Sequence, residues 1–135
     1  MALFEWKEQY SVNVKEIDKQ HKMLVETLNE LHEAMMTRKS KEILSGIVTS
    51  LVDYARYHFS FEEQNMKRFN FPGYPAHKKE HDDFTEKVGD FQKKHADGHL
   101  MLSMEILNFL KDWLKKHIMG TDKQYSSFFN QKGLI

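Results

Sequence analysis

The chain has 135 residues, enough for one domain, and its 20 Lys plus Arg against 20 Asp plus Glu leave no formal net charge. That balance excludes a broadly electrostatic nucleic-acid binder, and a hydrophobic content of 40% excludes wholesale disorder. The absence of cysteine excludes disulfides, thiolate zinc sites, cysteine-ligated iron–sulfur clusters and a cysteine nucleophile.

The N-terminal stretch MALFEWKEQY is charged at Glu5 and Lys7, so it lacks the apolar stretch of a signal peptide. No apolar run approaches the roughly 20 residues a membrane span needs. The expectation is a cytoplasmic protein with no membrane span. An irregular arm over about 1–17 opens the chain, with Phe4 and Trp6 placed to pin it. The first helix is expected over about 18–38, with a seam of Ile17, His21, Leu24, Leu28, Leu31 and Met35 stepping by four and three. A second helix is expected over about 40–69, with Ser40 as its N-cap. Its seam is Leu44, Ile47, Leu51, Tyr54, His58, Glu62 and Asn65. Both prolines, Pro72 and Pro75, fall in FNFPGYP, and Pro75 suits the first turn of a third helix over about 75–94. That helix carries the seam His77, His81, Phe84, Val88 and Phe91. HADGH predicts a turn at Asp97–Gly98. A fourth helix over about 99–119 carries Leu102, Ile106, Phe109, Trp113 and His117, and a tail over 120–135 ends the chain. The scarcity of glycine (6) and proline (2) agrees with an all-α chain. Short loops make the helices antiparallel neighbours in an up-down-up-down four-helix bundle.

In that topology His21, His58, Glu62, His77, His81 and His117 all fall at one end of the bundle. A single seam histidine is ordinarily a hydrogen-bonded core residue. Five together in an apolar interior would each need a partner, and any that became charged would repel the others. A cation resolves that conflict, since imidazole nitrogen is a common metal ligand. HFSFE places His58 and Glu62 four apart, on one face of a helix, and HKKEH does the same for His77 and His81. Six or seven ligands exceed what one four-coordinate zinc takes. They suit two metals sharing a carboxylate: iron fits, and ligand type alone also admits copper or zinc. Asp122, five residues past His117 in HIMGTD, would sit off-face by roughly 140° on a regular helix. It turns inward only if the backbone relaxes, for which Gly120 is a candidate; otherwise it is a solvated helix-end residue.

His21 in EIDKQH, with HFSFE, HKKEH and HIMGTD, resembles the metal-binding pattern of the hemerythrin family, here in a single-domain bacterial form. The resemblance covers nearly the whole chain. It implies two iron ions bridged by an oxo or hydroxo group and by the carboxylates of Glu62 and Asp122. His77, His81 and His117 would hold one iron, and His21 and His58 the other. The open position on the latter would take O2. The resemblance also implies an apolar O2 pocket of Leu24, Phe59, Trp113, Leu114 and Ile118, which ordinary core packing would equally explain. Larger apolar residues stand in some relatives where this chain has Gly120.

Gln20 and Glu63, adjacent to ligands, are candidates to orient imidazoles through their outer nitrogens. His32, His95 and His99 are expected at the surface or in loops, away from the site. The functional expectation is a non-enzymatic, monomeric O2 carrier or store, with an O2-consuming enzyme as recipient. The alternative is an O2- or NO-sensing module acting through a partner protein; the chain ends soon after Asp122 with no output domain, which favours the carrier. A diiron enzyme is disfavoured by five histidines against two carboxylates. The paired Glu-x-x-His motif of ferritin-like sites is also missing.

Overall fold

The computed structural model describes residues 4–96 and 102–135. Four long helices, α1 (Lys15–Met36), α2 (Lys41–Arg68), α3 (Tyr74–Ala96) and α4 (Leu102–Lys116), form an up-down-up-down bundle in which α1 packs on α2 and α4, and α3 on α2 and α4. No strand occurs among the described residues. The Asp97–Gly98 turn, His99 and the side chain of His95 lie outside the described residues. His32 is half-buried on α1.

The helix boundaries follow local chemistry. α1 begins three residues before the expected Asp18, because Asp18 works from inside the first turn. Its Oδ1 accepts the Val12 N–H at 2.9 Å, and Asn13 turns the chain with a φ of 59°. Glu16 and Asp18 also place negative charge at the positive end of the helix. Ser40 caps α2 as expected, its Oγ accepting the Ile43 N–H at 3.3 Å. At the other end of α2, Asn70 takes a left-handed φ of 58° and the Phe71 N–H returns to the Met66 carbonyl at 2.8 Å. Pro75 sits in the first turn of α3.

The expected seams hold on α1 and α3, widen on α2 and rotate on α4. On α2, Ile47, Leu51, His58 and Glu62 are buried as expected, Val48, Val52, Ala55, Phe59 and Met66 join them, and Leu44, Tyr54 and Asn65 are half-buried. On α4, Leu110 and Leu114 fill the core while Phe109 and Trp113 flank it. A straight helix drifts by about 20° per heptad against a strict seven-residue repeat.

The 120–135 segment departs most from expectation. It is helical: a π turn over His117–Thr121, a 3-10 turn over Asp122–Tyr125, and α5 (Ser126–Gln131). Two apolar clusters result. The larger fills the bundle interior; the smaller joins Val12, Val14 and Ile17 to Met66, Tyr125 and Phe129. The second cluster closes the end of the bundle that carries the histidines. It is stitched by Ser126 Oγ donating to the Val12 carbonyl and Asn130 Nδ2 donating to the Asn13 carbonyl. Phe4 is pinned to α1 by exchange with Asn29: its N–H donates at 2.9 Å and its carbonyl accepts at 2.8 Å.

Phe129 is fully buried in the closing cluster. Phe129→Ala is expected to cost about 3–5 kcal/mol of folding stability. The measurement is the midpoint of urea unfolding, with the slope unchanged.

Candidate metal centre

Because the helices alternate in direction, the starts of α1 and α3 and the ends of α2 and α4 share one end of the bundle. α1 delivers His21, α2 His58 and Glu62, and α3 His77 and His81; His117 opens the π turn after α4. All six, with Asp122, are at most 2% exposed. The seven form two overlapping sets: Glu62, His77, His81, His117 and Asp122 in one, and His21, His58, Glu62 and Asp122 in the other.

Asp122 spans both. Its Oδ1 lies 2.9 Å from His77 Nε2 and 2.8 Å from His117 Nε2, and its Oδ2 lies 2.9 Å from His21 Nε2. Glu62 Oε1 lies 2.8 Å from His58 Nε2 and 3.4 Å from His81 Nε2. The inward turn of Asp122 comes from the π turn itself. The Asp122 N–H bonds to the His117 carbonyl five residues back, so these two residues come onto one face. Gly120 has no positive φ, and a Cβ there would meet open space, so its backbone freedom is not the cause.

Most of the atoms at the centre lack a hydrogen-bond partner; His81 Nε2 and His117 Nε2 meet at 3.2 Å. His21 Nε2, His58 Nε2, His77 Nε2, Glu62 Oε1 and both Asp122 oxygens are buried without a hydrogen bond, although several lie within 2.9 Å of one another. The ligand-type atoms of each set all lie within 4.8 Å of one another. Unpartnered buried groups of this kind are costly, and these six in one place exceed the few expected of a whole native domain. A set of imidazoles and carboxylates without thiolate fits divalent transition metals, and two sets sharing two carboxylates fit two ions.

The outer ring nitrogens are held from neighbouring helices. His58 Nδ1 meets Gln20 Oε1 at 2.6 Å, His81 Nδ1 meets Glu63 Oε2 at 2.9 Å, and His117 Nδ1 meets Glu80 Oε1 at 2.9 Å. Thr121 Oγ1 fixes Glu80 through contacts to both its oxygens at 2.9 and 3.0 Å. Tyr125, fully buried, donates to Glu62 Oε2 and stacks on His77. Sequence reasoning singled out Gln20 and Glu63 but missed Glu80, Thr121 and Tyr125. Glu80 carried the same signal, adjacency to a ligand; Tyr125 lay in a stretch with no seam to place it.

Leu24, Phe59, Leu114 and Ile118 are buried in the main cluster, and Trp113 is half-buried against it. Phe59 stacks on His81 with centroids 3.9 Å apart, and Trp113 on His117 at 4.2 Å.

The electrostatics follow from burial and proximity. Burial would raise the Glu62 and Asp122 carboxyls, but the surrounding imidazoles outweigh it and hold both below the usual carboxylate range. Burial lowers the His58 imidazole. Burial would lower His117 too, but the Asp122 and Glu80 carboxylates overcome it and push His117 up to about 10. Burial, then the charges of Asp122 and Glu62, raise Tyr125 and keep it a donor.

Three comparisons bear on this arrangement. The family model described as the hemerythrin HHE cation binding domain matches residues 12–128. A bacteriohemerythrin of Methylococcus capsulatus is 35% identical over 126 residues, covering 93% of this chain and 95% of that protein. One from Stenotrophomonas maltophilia is 33% identical over 126 residues, covering 93% of this chain and 81% of that protein. A crystal structure of wild-type hemerythrin superposes with a TM-score of 0.88 at 32% identity, covering 93% of this chain and 97% of that one.

In the metal-free protein His117 is protonated at pH 8, between its ordinary value and about 10. The stability this lends to folding is complete below about pH 6.5 and is lost as pH rises through about 10. Metal uptake requires a neutral imidazole. Adding Zn2+ or Co2+ to metal-free protein at pH 8 is therefore expected to release a proton from His117, read with an indicator dye. The release should shrink as pH rises toward 10; a release independent of pH would contradict the assignment.

Proposed function

The chain belongs to the hemerythrin family, and on that premise we propose that it binds O2 reversibly at a pair of non-haem iron ions, as a carrier or store. The observation that supports this best is the inequality of the two donor sets. Five residues face one position and four the other, with Glu62 and Asp122 in both. In this reading His77, His81 and His117 would hold one iron and His21 and His58 the second, with Glu62 and Asp122 common to both sets. The pair supplies the two electrons that O2 takes up on binding and returns on release. The position with fewer protein donors is where O2 enters.

The residues around the centre have separate tasks. Leu24, Phe59, Leu114 and Ile118 make a buried apolar wall, with Trp113 at its margin, and such a wall keeps water and competing anions from the centre. Tyr125 holds one oxygen of Glu62, and Gln20, Glu63 and Glu80 fix three imidazoles from behind. Five histidines against two carboxylates suit carriage better than oxidation chemistry, so the role proposed is not enzymatic. No helix among the described residues is long and apolar enough to cross a membrane, and O2 delivery to an O2-consuming enzyme is the use this reading favours.

The test is anaerobic reduction of the iron-loaded protein followed by O2 titration under optical and resonance Raman detection. An oxygenation band that vanishes under vacuum and returns with O2 supports the carrier. Irreversible bleaching with consumption of reductant would replace it with a diiron oxidase, and O2-dependent capture of a partner protein with a sensor. His58→Ala is expected to abolish O2 uptake while helical circular dichroism persists, and unchanged uptake would contradict the placement of O2.

A further inference from the structure

Gln20 precedes His21 on α1 yet bonds His58 on α2; Glu63 follows Glu62 on α2 yet bonds His81 on α3; Glu80 precedes His81 on α3 yet bonds His117 on α4. The alternation of preceding and following residues has a geometric cause. One residue turns a helix by about 100°, and helices of opposite direction turn oppositely when viewed from one end of the bundle. A step back on α1, forward on α2 and back on α3 therefore all rotate the same way, each toward the next helix. The step that would complete the ring is forward from His117 on α4, toward α1. That position is Ile118, which is apolar and 1% exposed. Correspondingly, His21 Nδ1 is buried with no hydrogen-bond partner.

We propose that the two metal positions are unequal in how firmly they hold a divalent cation. The position framed by His77, His81 and His117 fills first, and that framed by His21 and His58 empties first. Glu63 and Glu80 act as the positioning residues that set the difference. This rests on the two-metal reading above.

Three observations carry it. His81 and His117 donate outward to carboxylates, which bind an N–H more strongly than a neutral acceptor and make the imidazole a better donor to a metal. His58 has only the amide of Gln20. His21 has nothing, and ligation through Nε2 puts its ring proton on Nδ1, where no acceptor waits. Binding at the second position thus leaves the His21 ring proton on a nitrogen with no acceptor, and binding at the first does not require this of His81 or His117.

The experiment is an anaerobic titration of the metal-free protein with Co2+ alone, followed by its visible bands. Two resolved steps of one equivalent each are expected, with His21→Ala removing only the second. Glu63→Gln and Glu80→Gln, both partly exposed and confirmed folded by circular dichroism, should each weaken the first step by roughly 10–100-fold and leave the second unchanged. On chelation of the fully loaded protein, half the Co2+ should leave early. Two equivalents bound with one affinity, or both steps weakened alike by the variants, would overturn the inequality while leaving the two-metal reading intact. Failure to bind two equivalents would overturn that reading itself.

Discussion

Seven nitrogen- and oxygen-bearing side chains meet in an interior closed to water, and the rest of the molecule is arranged around the cost of keeping them there. Imidazoles and carboxylates can neutralise one another by sharing protons, yet several of the closest pairs here are not hydrogen-bonded. Glu62 and Asp122 are held as carboxylates at full burial. Their nearest nitrogens approach to 2.8–2.9 Å without hydrogen-bond alignment. Such an arrangement persists only if its frame is stiffer than the tendency of its members to repair themselves. The frame must therefore be accounted for as closely as the ligands.

Two apolar masses supply that stiffness. Below the site, Phe59 and Trp113 stack on His81 and His117 and connect them to the main cluster. Beyond it, the N-terminal arm, the α2–α3 connection and the final helical segment close the open end. The arm and the last segment are more than 100 residues apart in sequence and touch through Ser126 and Asn130. Tyr125 belongs to both worlds: its ring packs with Phe129, and its hydroxyl holds Glu62. The same residue that seals the end also orients a ligand.

Much of this was legible from the chain. A seven-residue apolar repeat is a strong signal, so α1 and α3 carry their buried faces where the spacing puts them. The common end of the histidines follows from topology alone. What was not legible has physical reasons. The core face of α2 is wider than one seven-residue seam, taking in Ala55, Phe59 and Met66, and that of α4 turns to Leu110 and Leu114, because 3.6 residues per turn is not 3.5. Asp122 looked off-face because a regular helix was assumed, whereas the π turn changes the repeat for a few residues and no propensity announces it. The final segment looked like a tail because it has too few turns to show a period, though SSFF holds the residues that close the bundle. Glu80 lies among two lysines and two aspartates, a run that reads as a solvated face.

Adjacent residues on one helix point about 100° apart, so a ligand that faces the bundle axis has a neighbour that faces the next helix. Gln20 with His21, Glu62 with Glu63, and Glu80 with His81 each use two consecutive positions for two different tasks. An antiparallel bundle thereby orients three of its imidazoles without adding residues to the core. The fourth step meets Ile118 instead of a polar side chain. On the ring argument, a polar group at position 118 would face His21, but it would also bring an acceptor, and with it water, to the apolar wall to which Ile118 belongs. On the proposed inequality, the weaker hold on one cation and the dry approach to it would both follow from the isoleucine after His117. A site that must admit and release a small apolar ligand gains more from the dry wall than from the missing hydrogen bond.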